Sequence, residues 1–325
     1  MDKEKKVLLI AGGGTLGTYV AEELLKKGCL VDVICLEEKV SHSKKLQFFR
    51  ESATEEFLIE FLSDKCYDGI VNFMHYPDIE KYKPIHRLLT KKCSHLIFLS
   101  SYRVYGDSSG VITEETPMLL DTSVDERFLS EETYALSKAK GEKFLRTEDK
   151  EGNWTIVRPV ISFADRRLDI VTHSGNTLIN AVMNDEVVKL PVQAQNLTAG
   201  LDWAGNTGRI IANILFKDEA IGEAYTISSA QNLTWGEIAE YYTEILGAKF
   251  SWIDTEEFIE STPQAKKEPW LLLYDRLYDR HIDNSKVLKL TGMKAEDFLP
   301  IKEGIKIEYN KIKERQKTNE SNTCK

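Results

Sequence analysis

Tyr134 and Lys138, in Tyr134-Ala135-Leu136-Ser137-Lys138, stand four residues apart and so share one face of any helix that contains them. A phenol ionises near pH ~10 in water, and an ammonium beside it favours the phenolate, so such a pair can take a proton from an alcohol near neutrality. The same spacing also describes an ordinary solvated helix face. Two other stretches decide between these readings. Ala11-Gly12-Gly13-Gly14-Thr15-Leu16-Gly17 follows the apolar run at 7–10 and precedes Tyr19, Val20, Leu24 and Leu25 at helical spacing, with Gly28 placed to end the helix. Gly12, Gly14 and Gly17 fit G-x-G-x-x-G, in which small residues let the backbone turn sharply and approach a pyrophosphate at a helix N-terminus. Further on, the apolar run 96–99 delivers the hydroxyls of Ser100 and Ser101 to the carboxyl edge of its strand, where open parallel sheets bind ligands.

Apolar stretches at 7–10, 31–36, 69–73, 96–100 and 155–157 alternate with helical patterns. That order predicts an α/β fold with a doubly wound parallel sheet. Thr234-Trp235-Gly236-Glu237 reads as a capping box opening a helix that Gly247 closes, and the aromatic segment 270–278 reads as core packing more readily than as a pocket wall.

The chain resembles the extended short-chain dehydrogenase/reductases, in their NAD-dependent epimerase/dehydratase branch. The resemblance rests on the glycine loop, Ser100-Ser101-Tyr102-Arg103-Val104-Tyr105-Gly106, Tyr134 with Lys138, Val157-Arg158-Pro159, Asp202-Trp203-Ala204, Ile221-Gly222-Glu223-Ala224-Tyr225 and Asp283-Asn284-Ser285-Lys286. It implies that Tyr134 is the catalytic acid/base, that Lys138 supports its ionisation and holds the nicotinamide ribose, and that Ser101 orients the substrate oxygen. It further implies a cofactor site drawn from Gly12, Gly14, Thr15, Leu16, Gly17, Glu37, Met74, His75, Ser100, Tyr134, Lys138 and Pro159. The family's split arrangement implies a Rossmann domain from 1–161 with 197–230, a smaller discontinuous α/β substrate lobe from 162–196 with 231–310, and a flexible polar tail at 311–325.

Departures from the family pattern narrow the transfer. Tyr102 and Arg103 stand where sugar-nucleotide 4,6-dehydratases carry an acidic pair, so that reaction is disfavoured. Ile161 and Ala164 replace an Asn and a Gly common in nucleotide-sugar epimerases, and no phosphate-binding Arg is evident in 193–198. Cys35 occupies the usual place of the ribose-binding acid; Glu37 lies just beyond it with no Arg adjacent in the sequence, which favours NAD and leaves NADP open.

Net charge is −9, which argues against a general affinity for nucleic acid or anionic membrane. Five cysteines, among them Cys35 and Cys324, form no Cys-x-x-Cys or metal pattern with six scattered histidines, so no metal is expected and the setting reads as reducing and cytoplasmic. The expected function is NAD(P)-dependent hydride transfer on a secondary alcohol or ketone of a sugar or nucleotide sugar. The partner is then a small molecule, and a homodimer is left open. The alternative is a non-catalytic dinucleotide-binding regulatory or RNA-binding relative, against which the intact Ser-Tyr-Lys set and the acidic charge both count.

Overall fold

The computed structural model describes residues 4–106 and 110–323. Its strands are β1 (Lys6–Ile10), β2 (Leu30–Cys35), β3 (Leu46–Arg50), β4 (Tyr67–Asn72), β5 (Cys93–Leu99), β6 (Trp154–Pro159), β7 (Ile161–Phe163), β8 (Val187–Pro191), β9 (Leu201–Trp203), β10 (Ala224–Ile227) and β11 (Lys249–Ile253). Seven of them form one sheet in the order β10-β6-β5-β4-β1-β2-β3, with every neighbouring pair parallel. The chain runs outward from β1 to β3 and then crosses back to β4, which makes the gap between β1 and β4 the topological switch point. β7 pairs with β9 and β8 with β11 in two short parallel ribbons.

Side chains alternate across each strand, and both faces of the sheet are covered. Val7 and Leu9 of β1 enter one apolar cluster with Val20, Leu24, Ile210 and Ile214. Leu8 and Ile10 enter the opposite one with Leu58, Tyr82, Leu89 and Leu96. On the first face the helix Thr15–Lys26 lies against the helix Ala204–Ile214. They meet at Gly208, where a Cβ would stand 2.8 Å from that of Tyr19. Gly28 follows the first helix at φ +84°, a conformation glycine adopts without steric cost. A further core, around Trp235, Tyr242, Phe258 and Leu190, fills the region beyond the sheet. Thr234 and Glu237 form the expected capping box there, and Gly247 ends the helix Trp235–Leu246 in the left-handed conformation.

β3 is absent from the expected strands. It is an edge strand with part-exposed residues throughout, so it lacks the continuous apolar run that marked the others. The expected tail from 311 differs as well: the helix Ile301–Thr323 continues through it. Ile312 is buried, Lys311 Nζ donates to Tyr19 Oη at 2.7 Å, and Arg315 pairs with Asp165 at 3.1 Å. Those contacts hold polar residues in a helix that composition alone would leave free to fray. Residues 324 and 325, Cys324 included, lie outside the described residues. None of the described helices is long and apolar enough to cross a membrane.

Beneath the carboxyl edge of the sheet, Glu142 and Arg158 form an ion pair of 2.6 Å with both side chains wholly buried. The Glu142 carboxylate also accepts from Arg158 Nε at 2.9 Å and from Ser100 Oγ at 2.5 Å, while Arg158 donates to Tyr105 Oη at 2.9 Å. Breaking such a pair on one side leaves a buried charge without compensation. Glu142→Gln should therefore lower the unfolding free energy in urea by about 3–5 kcal/mol. A loss within ~0.5 kcal/mol, the range of ordinary surface changes, would show that this network is not a structural anchor.

Candidate active site

The glycine loop leaves β1 with Ala11 at φ +55° and returns a hydrogen bond from Gly12 N–H to the Ile34 carbonyl at 3.2 Å. Gly12 and Gly17 are packing positions: a Cβ on Gly12 would lie 2.7 Å from that of Leu9, and one on Gly17 would collide with the Gly12 carbonyl. Gly14 differs, since a Cβ there would meet nothing within 4 Å. It stands at the N-cap of the helix Thr15–Lys26, where no side chain caps the free N–H groups and no acidic residue occupies the first turn. The helix dipole and those N–H groups face an open space suited to an anion. Beside it, the Glu37 carboxylate reaches back against Gly13, so closely that a Cβ on that residue would overlap it. A carboxylate there is placed to accept from a ribose diol.

Tyr134 is the first residue of the helix Tyr134–Thr147. Thr133 does not cap that helix. Glu132 does, accepting the Ala135 and Leu136 N–H groups at 3.0 Å each. One turn on, Lys138 is buried and its Nζ donates to the main-chain carbonyls of Leu99 at 2.7 Å and Met74 at 3.1 Å. The ammonium lies 6.0 Å from the centre of the Tyr134 ring. Burial pulls the Lys138 pKa down to about 7, partly opposed by the Glu142 charge. Ser101 sits just past β5, where its Oγ accepts the Arg103 N–H at 3.2 Å and caps the turn Tyr102–Val104. That bond uses an oxygen lone pair and leaves the hydroxyl proton free to donate.

A cleft of about 540 Å³ opens along this edge and brings together Gly14, Thr15, Leu16, Ser101, Tyr134 and Pro159. The remaining expected residues stand around it in other ways. Gly12 and Gly17 shape the loop, Glu37 lies beside Gly13, and Lys138 and Met74 meet behind Tyr134. Ser100 turns away, its hydroxyl committed to Glu142. His75 lies beside Tyr134 with ring centres 5.1 Å apart and Nε2 at 2.8 Å from Ser137 Oγ; burial is the main cause lowering its pKa. Of the aromatic segment, Trp270, Tyr274 and Tyr278 pack around Leu119, Phe128 and Leu136, whereas Leu271 and Arg276 reach the cleft wall.

Two features were not anticipated. Arg50, opposite Cys35 in the β2–β3 register, brings a guanidinium close to the end of β2, with Nε 3.3 Å from the Leu36 carbonyl and a contact of 3.4 Å to Glu38. The absence of an Arg near Glu37 in sequence therefore does not hold in space, because β3 supplies one. The other is the arginine-rich cleft wall, where Arg167 and Arg276, which no local motif announced, join Arg103.

A parallel sheet with a glycine loop at its switch point, and hydroxyl, phenol and ammonium groups gathered at one edge, is the layout of a dinucleotide-binding α/β protein. The chain belongs to the NAD dependent epimerase/dehydratase family, whose model matches residues 8–204. Among curated proteins it is similar to UDP-glucose 4-epimerase of Lactobacillus helveticus, 27% identical over 135 residues, a match that spans 35% of this chain and only 41% of that relative. Among solved structures, UDP-glucuronic acid 4-epimerase from Bacillus cereus, in complex with UDP-glucuronic acid and NAD, superposes at a TM-score of 0.68 with 19% identity, covering 95% of this chain and 99% of the other. UDP-glucose 4-epimerase from Thermus thermophilus, in complex with NAD, gives 0.66 and 16% over 95% and 99%. At these identities the structures share the fold.

The buried lysine has a measurable consequence for stability. Its folded pKa of about 7 lies below the 10.5 of a free lysine, so the unfolded chain binds more protons between those values and the contribution of this group to stability rises with pH across that window. In denaturant titrations without added nucleotide, wild type should gain stability relative to Lys138→Met from pH ~7 to pH ~10. A pH-independent difference would contradict the burial argument.

Proposed function

We propose that the protein is an NAD-dependent epimerase or oxidoreductase that acts by hydride transfer on a secondary alcohol or ketone of a nucleotide sugar. The observation that carries this reading is the convergence of Ser101 and Tyr134 with the open face of the glycine loop on one cleft, backed by the Lys138 ammonium. Gly14, Thr15 and Leu16 would hold the pyrophosphate and Glu37 the ribose diol, which favours NAD, since a 2′-phosphate would meet that carboxylate. Arg50 is engaged with Glu38 and the Leu36 carbonyl. NAD, when bound, supplies the acceptor and donor of hydride. The residues of this chain handle the proton: Ser101 donates to the reacting oxygen, Tyr134 removes or returns its hydrogen, and Lys138 places positive charge behind the phenol. Acid-assisted elimination is disfavoured because Tyr102 Oη is bonded to Asp275 at 2.8 Å and the next residue is Arg103. The family match and the nucleotide-sugar epimerases among the similar proteins support the substrate class.

Two substitutions separate cofactor binding from chemistry. Gly14→Val would push a side chain into the space left for the phosphates and should abolish NADH binding in fluorescence titration while the fold is kept. Tyr134→Phe deletes only the hydroxyl. It should retain NADH affinity while turnover of the active sugar nucleotide, found by screening at the NADH absorbance, falls by about 10²–10⁴. Near-wild-type turnover in Tyr134→Phe would remove the tyrosine from the mechanism and favour the non-catalytic reading.

A further inference from the structure

The phenol assigned to proton transfer stands at the end of its helix rather than within it. Tyr134 is the first residue of the helix Tyr134–Thr147, and Thr133 before it makes no side-chain cap. Main-chain N–H groups of a first turn lack intrahelical partners, and helix ends fray. Glu132 serves the N–H groups of Ala135 and Leu136, which lie beyond Tyr134. A second hold on this end comes from the segment that follows β4.

The buried Asn72 ends β4 and pins that segment at two points. Its Oδ1 accepts the Met74 N–H at 3.1 Å, and its Nδ2 donates to Tyr76 Oη at 3.1 Å. Met74 and His75 then reach the helix by different means. The Met74 carbonyl accepts Lys138 Nζ at 3.1 Å. The His75 ring places Nε2 at 2.8 Å from Ser137 Oγ, and Ser137 Oγ donates to the Tyr134 carbonyl at 2.9 Å. Two bonds in series thus join the imidazole to the main chain of Tyr134. The Thr133 carbonyl is within hydrogen-bonding reach of the same ring. Positions on both sides of Tyr134 are gripped from two consecutive residues.

The imidazole also packs on the phenol itself, with ring centres 5.1 Å apart and planes at 56°. Burial, and then the Lys138 charge, lowers the His75 pKa, so the ring is neutral near neutrality. It adds no third cation to the Arg103 guanidinium carbon and Lys138 Nζ, which lie 5.0 and 6.0 Å from the centre of the Tyr134 ring. Tyr134 lines the cleft and His75 does not.

We propose that His75 is a positioning residue for Tyr134: through Ser137 and by ring contact it sets where the phenol stands in the cleft, and it makes no cofactor contact. This rests on the catalytic reading above and adds to it the group that orients the acid/base.

The test compares kcat, KM and the NADH dissociation constant among variants of His75 and Ser137, using the sugar nucleotide that wild type turns over. His75→Ala should lower kcat about 10- to 100-fold, the scale on which a displacement of up to ~1 Å acts, with KM and NADH affinity unchanged. His75→Gln, whose terminal amide takes the place of Nε2, should recover most of the loss; His75→Asn, whose amide takes the place of Nδ1, should not. Ser137→Ala deletes only the intervening hydroxyl and should lower kcat as well. Combined with His75→Ala it should cost far less than the product of the two single losses, because both break one connection. Wild-type kcat in folded His75→Ala or Ser137→Ala would overturn the proposal, as would equal kcat in the Gln and Asn variants. Weaker NADH binding with kcat unchanged would make His75 a cofactor contact and overturn it too. A wild type that binds NADH but turns over no sugar nucleotide would instead overturn the catalytic reading, and this proposal with it.

Discussion

The site depends first on one buried ammonium. Lys138 spans from its helix to the main-chain carbonyls that follow β4 and end β5, Met74 and Leu99, and thereby ties the Tyr134 helix to the ligand-binding edge of the sheet. Desolvation of a lysine is unfavourable and lowers its pKa. Two carbonyl acceptors and the Glu142 charge one turn further on oppose that cost. The phenol, one turn before Lys138, is carried to the cleft by the same contact. One side chain therefore both ties the phenol's helix to the sheet and places positive charge near the phenol.

Under that edge the network of Glu142, Arg158, Ser100 and Tyr105 fixes where β5 ends and where the following turn begins. Ser100 and Ser101 are adjacent in sequence but have different tasks as a result. The first is bonded to Glu142, while the second caps the turn through its oxygen and lines the cleft. Of the next two residues, Tyr102 is buried against Asp275 and Arg103 lies across the Tyr134 ring. Ser100 is thus committed to the network under the sheet edge, while Ser101, Tyr102 and Arg103 all line the cleft.

What could be read in the sequence was local. The buried strands of the sheet appear as apolar runs, the glycine loop as spaced glycines between strand and helix, and Tyr134 with Lys138 as one helix face. What escaped depends on residues far apart. β3 is a part-exposed edge strand, so its Arg50 could not be placed beside Glu38. The polar helix beyond Tyr309 is held by the Lys311 contact to Tyr19, 292 residues away. The buried cluster behind the cleft wall forms when Arg103, Arg276 and Arg280 converge on Asp275. Arg103 was visible as an unusual residue in its motif, yet its ion pairs with Glu132 and Asp275 are a property of packing.

The central claim is that the carbon–hydrogen bond of the substrate is broken and remade by hydride transfer within this cleft, with Tyr134 moving only the hydroxyl proton. Turnover of a nucleotide sugar in heavy water, followed by mass spectrometry of the recovered epimer after back-exchange of its hydroxyls, tests it directly. Hydride transfer predicts product with no deuterium on carbon. Deuterium fixed at a ring carbon would mean that the carbon is deprotonated to solvent, and would contradict the account.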